Sequence, residues 1–279
     1  MSTIGVVGLG AVGGTVARGF EEAGVETRGY DTYLATGAAT DLASCSVVFV
    51  CVPTPITTSG ALDPTEVWTA IKEIEPLVAV GTIFAVKSTV PPGTCNELAA
   101  AFPRVTIASV PEFLVAARPV ETFTRPDRVV IGVDSPDAAA TLSDLMSVVA
   151  PSAPILVLRP IEAELVKLCA NAMLATKVTL ANELAEICSR FDVHWPRVKS
   201  SVGLDRRIGP DHLDVTPERG FGGPCLPKDL DGLIHASRQA GYEPSVLDHI
   251  AGFNRSIRGE RGSRQTVATE RQGGPFESP

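Results

Sequence analysis

The stretch from Ile4 to Asp31 admits few folds. Ile4-Gly5-Val6-Val7 is a short apolar run of the kind that forms a buried parallel strand. It leads into Gly8-Leu9-Gly10-Ala11-Val12-Gly13, a G-x-G-x-x-G match. A helical pattern through Val16, Phe20 and Ala23 follows, then a second strand from Val25 to Tyr30 that ends in Asp31. In such a βαβ unit the first glycine makes the tight turn. The second lets a pyrophosphate approach the backbone, and the third lets helix pack on strand. The free N–H groups and positive dipole end of the helix then face the phosphates. Gly8, Gly10, Ala11, Val12 and Gly13 are therefore candidate dinucleotide contacts. Asp31 can accept a bond from a ribose 2′-OH and repels a 2′-phosphate, so the unit reads as a site for NAD rather than NADP. Arg28, the nearby cation, lies within the strand.

The rest of the N-terminal half alternates in the same way. Strands are expected at 47–52, 82–87, 105–110, 128–133 and 155–158. Helices are expected from Asp63-Pro64 towards Val80, over 95–101 and over 136–149. Alternation of this kind builds a Rossmann-type, doubly wound, mostly parallel α/β sheet. Its ligands lie beyond the carboxyl ends of the strands. The loops there carry Val52-Pro53-Thr54, Ser88-Thr89 and Pro111-Glu112-Phe113-Leu114.

After Pro160 the pattern changes. Residues 161–191 form one long stretch without glycine or proline, with apolar positions at helical spacing. Glu164, Lys167 and Asn171 fall on one face of it, either as a solvated polar stripe or as part of a site. Two more helices are expected over 228–240 and 245–257, and a disordered tail from Gly259. The domain reading is a dinucleotide-binding domain over 1–159, a central helix with a small helical catalytic and dimerisation domain over 160–258, and a tail over 259–279. The long helix exposes more apolar face than a small helical domain covers, which points to a homodimer.

Between these helices lies Gly220-Phe221-Gly222-Gly223-Pro224-Cys225-Leu226-Pro227-Lys228-Asp229. A cysteine after a glycine-rich run, with a lysine and a carboxylate just beyond, suits a nucleophile. The plain alternative is a Gly-Pro loop capping a helix.

Composition limits the function classes. The net charge is −8, so nothing suggests nucleic-acid binding. No apolar run has the length of a membrane span, and no basic leader precedes the first strand. The six cysteines form no C-x-x-C pair, which fits reduced, cytoplasmic thiols and no metal site.

Taken together, these motifs make the chain resemble the UDP-glucose/GDP-mannose dehydrogenase family. They are Gly8 to Gly13, Val52-Pro53-Thr54-Pro55, Lys87-Ser88-Thr89-Val90-Pro91-Pro92-Gly93-Thr94, Pro111 to Leu114, Glu164/Lys167/Asn171, Arg207-Ile208-Gly209 and the cysteine loop. They occur in family order and cover residues 1 to about 258. The resemblance implies NAD-dependent, four-electron oxidation of a nucleotide-sugar primary alcohol to a carboxylate, in polysaccharide biosynthesis. By the same resemblance Cys225 is the nucleophile that forms a thioester, and Lys167 and Asn171 stabilise the oxyanion. Asp229 positions water or assists proton transfer, Glu112 serves as base in hydrolysis, and Thr89 orients a water or the cofactor side. Val52, Pro53, Thr54, Ser88 and Thr89 would line the cofactor. Glu112, Phe113, Leu114, Lys167, Asn171, Phe221, Gly222, Gly223 and Lys228 would line the substrate.

Three features depart from the family pattern. The family usually continues into a second Rossmann-like domain, and this chain stops near where the linker to it begins. Thr32 to Ser46 is shorter than usual, and Ala116 stands where a further glutamate is common. A separate polypeptide supplying the second domain, a different substrate, or weak binding would each accommodate this. Two other functions stay open. One is a two-electron β-hydroxyacid-type dehydrogenase, which does not need Cys225. The other is a non-catalytic protein that binds NAD or a nucleotide sugar.

Overall fold

The computed structural model describes residues 3–270, with side chains described through residue 259. The chain divides into two compact units, Met1–Cys169 and Ala170–Pro279.

The first unit is built on seven strands: β1 (Ile4–Val7), β2 (Thr27–Tyr30), β3 (Val47–Val50), β4 (Ile83–Val86), β5 (Thr106–Ser109), β6 (Val129–Gly132) and β7 (Ile155–Leu158). They lie in the order β2-β1-β3-β4-β5-β6-β7. All neighbours pair in parallel except β5 and β6, which meet antiparallel at Ser109 and Gly132. The order reverses between β1 and β3, which makes the end of β1 a topological switch point. Four central strands are buried at every residue, which is why they read as unbroken Val/Ile/Phe runs rather than as alternating ones.

Successive residues of those strands feed two cores. On one side Val6, Phe49, Ala85 and Ile131 pack with Phe20 of α1 (Ala11–Glu22), Phe123 of α4 (Pro119–Thr124) and Leu142 of α5 (Pro136–Val149). On the other, Val7, Val48, Val50 and Phe84 pack with Ile71 of α2 (Thr65–Ile74) and Leu98 of α3 (Thr94–Ala101). Phe20 sits 5.2 Å from Phe49 and 5.8 Å from Phe123, centroid to centroid. Full burial of such a side chain contributes roughly 2–3 kcal/mol.

The doubly wound sheet expected from the sequence is thus present. Two local expectations change. The helix expected to run towards Val80 ends at Ile74 and tightens into a 3₁₀ turn over Glu75–Leu77, because Pro76 has no N–H to continue the α ladder. Asp63 accepts from the Thr65 N–H at 3.0 Å, so it does serve the start of α2.

The long helix is α6 (Pro160–Arg190), and the division between the units falls inside it rather than before it. In the second unit α6 is followed by α7 (Trp195–Val202), α8 (Leu226–Gln239) and α9 (Ser245–Glu270). A small core of Ala181, Trp195 and Leu213 ties α6 to α7, and the Trp195 indole N–H donates to Leu213 O at 2.9 Å. Helix α9 continues past Gly259, where the sequence predicts a disordered tail. No proline stands between Ser245 and Glu270 to stop it. Of the expected tail, 271–279 lies outside the described residues.

Candidate active site

The glycine turn between β1 and α1 has the shape a dinucleotide requires. Gly8 has φ +80°, and a Cβ there would approach Cys51 O to 2.9 Å. A Cβ at Gly13 would overlap the Gly8 carbonyl, so this position closes the turn against the helix. Above Gly10 the space is open to 4 Å. Gly10 is the N-cap of α1 and supplies no side-chain bond, so the helix's first N–H groups are left to an outside acceptor. The turn therefore fits a pyrophosphate, which the N–H groups around Gly10, Ala11 and Val12 would hold.

Asp31 has a role the motif alone does not reveal. Its buried carboxylate accepts the Leu9 N–H at 2.6 Å and the Leu34 N–H at 2.8 Å. It ties the glycine loop to the turn after β2, and its remaining acceptor capacity is open to a ribose hydroxyl. Burial raises its pKa, but bonds from the Leu34, Leu9 and Tyr33 backbone outweigh that and hold it below the usual carboxylate value. Arg28 is paired with Glu26 at 2.5 Å on the surface. Beyond β3, Thr54 is buried and Pro53 exposed, with Val52 between these extremes. Ser88, after β4, donates to Val52 O at 2.7 Å and links the two loops, while Thr89 beside it is half-buried.

A second constellation in the same unit centres on Glu112, just past β5. Lys167 Nζ donates to Glu112 Oε1 at 2.9 Å, and the side chains are 7% and 14% exposed. The Leu114 N–H donates to Oε2 at 2.6 Å. Burial pushes the Glu112 carboxyl up, yet the Lys167 ammonium, the Leu114 N–H and the charge of Lys87 together hold it below the ordinary glutamate value. Glu112 is therefore ionised at neutral pH and able to accept a proton. It lines a small, partly open pocket of about 20 Å³ together with Lys87, Phe113, Leu114, Phe123 and Arg128. The Arg128 guanidinium lies 4.1 Å from the Phe113 ring centroid, and Lys167 Nζ lies 5.6 Å from it.

Lys87 is the member of this cluster to which sequence reasoning assigns no role. It directly follows β4 and is 4% exposed, with its Nζ 5.7 Å from the Phe123 centroid. Burial pulls its pKa below the ordinary lysine value. The available signal is a lysine directly after the four apolar residues Ile83 to Val86. Glu164, grouped with Lys167 and Asn171 by helical phase, does something else. Its Oε2 accepts from the Gly93 N–H at 2.5 Å and its Oε1 from the Cys95 N–H at 2.8 Å, which caps the start of α3.

The remaining expected residues belong to the second unit. Asp229, 1% exposed, lies in the first turn of α8, and its N–H donates to Cys225 O at 2.9 Å. Asn171 Nδ2 donates to Asp229 Oδ2 at 2.5 Å, so a buried amide and a buried carboxylate face each other. Lys228 Nζ stands 2.8 Å from Asp229 Oδ1. That contact has ion-pair distance without hydrogen-bond alignment, and Oδ1 has no aligned donor among the described residues. Cys225 is exposed at the N-cap of α8. Gly223 is exposed and Gly222 half-buried, whereas the Phe221 side chain is buried and only the glycines offer surface. No disulfide joins any of the six cysteines, and among the described residues no cluster of His, Cys, Asp or Glu could hold a metal ion. No described helix is long and apolar enough to cross a membrane.

Residues 32–149 match the model of the UDP-glucose/GDP-mannose dehydrogenase family, NAD binding domain. Residues 161–256 match the central domain of the same family. A UDP-glucose 6-dehydrogenase of Rhizobium meliloti is 36% identical over 226 residues, covering 77% of this chain and 51% of that protein. One of Rickettsia typhi is 34% identical over 220 residues, covering 77% and 50%. The structure of a UDP-glucose dehydrogenase from Pyrobaculum islandicum aligns with a TM-score of 0.84 and 31% identity, over 98% of this chain and 72% of that one. The chain spans about half the length of the curated relatives it matches. With the NAD-binding sheet and the central helices both matched in order, the chain belongs to the UDP-glucose/GDP-mannose dehydrogenase family.

Proposed function

We propose that the protein oxidises the primary alcohol of a nucleotide sugar to a carboxylate in two NAD-dependent steps joined by a thioester on Cys225. The observation that carries this reading is the buried Asn171–Asp229 pair, whose aspartate is bonded through its backbone to the residue that would be the nucleophile. NAD, when bound at the glycine turn, accepts one hydride in each oxidation.

The protein's own groups account for the remaining chemistry. The alcohol loses a hydride and a proton to become an aldehyde. The Cys225 sulfur adds to the aldehyde carbon, and its oxygen becomes an oxyanion. The Lys167 ammonium and the Asn171 amide stabilise that charge. Loss of a second hydride leaves the thioester. Water then attacks the carbonyl, with the thiolate as leaving group. Asp229, whose Oδ1 can accept a bond from water, orients it. Glu112, ionised between its cations, takes the water's proton. Thr89 orients a water or the cofactor side, and Phe113, Leu114, Gly222, Gly223 and Lys228 contact the substrate. Six cysteines without a disulfide suit a cytoplasmic setting.

The test is the amount of NADH released per sugar consumed, screened across UDP- and GDP-linked sugars. The expected value is two for the wild type. Cys225→Ser should keep NAD binding and lose conversion to the acid. A ratio of one, or full activity in Cys225→Ser, would instead identify a two-electron dehydrogenase. NAD binding without turnover, in the presence of any second polypeptide, would identify a binding protein.

A further inference from the structure

The loop that ends in Cys225 is gripped by two helices of its own unit. Asn254 of α9 is 6% exposed, and both polar atoms of its side chain bond one residue. Oδ1 accepts the Phe221 N–H at 2.7 Å, and Nδ2 donates to Phe221 O at 3.0 Å. On α6, Asn182 is fully buried, and its Oδ1 accepts the Gly220 N–H at 3.1 Å. The approach is close. Gly220 has φ +59°, and a Cβ there would come within 2.3 Å of Asn254 Oδ1. A Cβ at Gly222 would meet the Arg258 guanidinium at 2.8 Å. Arg258 in turn donates to Arg219 O at 3.0 Å. The main chain from Arg219 to Gly222 thus lies in a cradle of three side chains. Cys225 follows at once, with its own carbonyl bonded by the Asp229 N–H.

We infer that Asn254 is a positioning residue for Cys225: by binding both the N–H and the C=O of Phe221 it fixes where the cysteine loop enters α8, and hence where the sulfur stands. This rests on the reading of Cys225 as the nucleophile. A simple core asparagine would need only to be satisfied. This one uses both of its polar groups as an antiparallel strand would, on the segment leading into the cysteine. In α9 it occupies a position in the buried stripe of Ile250, Ala251 and Ile257, where an apolar residue is the default. Asn254→Asp keeps the shape but sets a carboxylate oxygen against Phe221 O, so it unlatches the loop without opening a cavity.

The experiment is the rate of Cys225 alkylation by iodoacetamide, followed by peptide mass from about pH 6 to about pH 10, where thiolate fraction controls the rate. Cys169, the other exposed cysteine, is the reference in the same tube. Asn254→Asp and Asn254→Ala should slow Cys225 alkylation at least threefold near neutrality and displace its pH profile, with Cys169 unchanged, because the sulfur leaves the α8 N-terminus. Arg258→Met, at an exposed position, should move the profile the same way but less, and it decides the matter if both Asn254 variants fail to fold. In turnover, Asn254→Asp should lower kcat at least tenfold with KM within twofold. Profiles that superimpose on wild type in folded variants would overturn the inference. A displaced profile in a protein whose wild type oxidises no nucleotide sugar would sustain the positioning of Cys225 and sink the dehydrogenase reading instead.

Discussion

The Glu112–Lys167 pair offers a quantitative test of how the buried charges are balanced. At 2.9 Å and an effective dielectric near 20, their gross attraction is about 6 kcal/mol. Desolvation removes much of it, and loss of one partner from a buried pair typically costs about 3–5 kcal/mol. The two losses are not equivalent here. In Lys167→Met, Glu112 keeps the Leu114 N–H and the charge of Lys87, so the cost should lie near the bottom of that range, about 3 kcal/mol. In Glu112→Gln, Lys87 and Lys167 lose a shared counter-ion, and the cost should exceed that of Lys167→Met by about 1 kcal/mol. The double variant should cost less than the sum of the singles by at least about 1.5 kcal/mol. Urea unfolding of the four proteins at neutral pH measures this cycle. The sign of the pH effect follows from the depressed Glu112 pKa. Its stabilisation is present above the unfolded glutamate value of about 4.3 and is lost as pH falls through the lower folded value. Additivity within about 0.5 kcal/mol, or a costlier Lys167→Met, would refute this account of the cluster.

Three further outcomes are expected. NAD should bind more tightly than NADP by calorimetry, and Asp31→Ala should weaken NAD binding while lowering stability by about 1–3 kcal/mol, because the Leu9 and Leu34 N–H groups lose their acceptor. Glu164→Gln should cost about 1–3 kcal/mol by urea unfolding. The Glu164 pKa is raised by burial, so its stabilisation is present below about 4.3 and declines as pH rises through the folded value; the variant should lack that decline. Met173, Leu180 and Ile187 form an exposed heptad-spaced stripe on α6, which supports the proposed homodimer. Light scattering should give a dimer for the wild type and a monomer for Leu180→Lys, and a wild-type monomer at micromolar concentration would remove the proposal.

Much of the sheet can be read from the chain because parallel strands buried on both faces leave unbroken apolar runs, as at Val47–Val50 and Ile83–Val86. Helices α4 and α7 carry no comparable mark. Each buries only one large side chain, Phe123 or Trp195, so no helical period shows. The site is legible where chemistry and spacing coincide, as at Gly8 to Gly13 or Cys225 to Asp229. It is not legible where a residue's partner is distant in sequence. Glu164 looks like a solvated charge until the Gly93 and Cys95 N–H groups arrive from 71 and 69 residues away. Asn182 and Asn254 look like ordinary helical polar residues, although each sits in the buried phase of its helix and caps the same loop.

The pairing pattern of the sheet also has a consequence for its motion. Strands β1 to β5 are joined by four-residue parallel ladders, as are β6 and β7, but β5 meets β6 through the single pair Ser109 and Gly132. The sheet is therefore two leaves stitched at one point, and the stitch is where backbone bonding is sparsest. The Glu112 cavity straddles it, with Lys87 and Glu112 from one leaf and Arg128 and Val129 from the other. Local opening should part the leaves along this seam, so β6 and β7 amides exchange with solvent at lower free energy than those of β1 and β3.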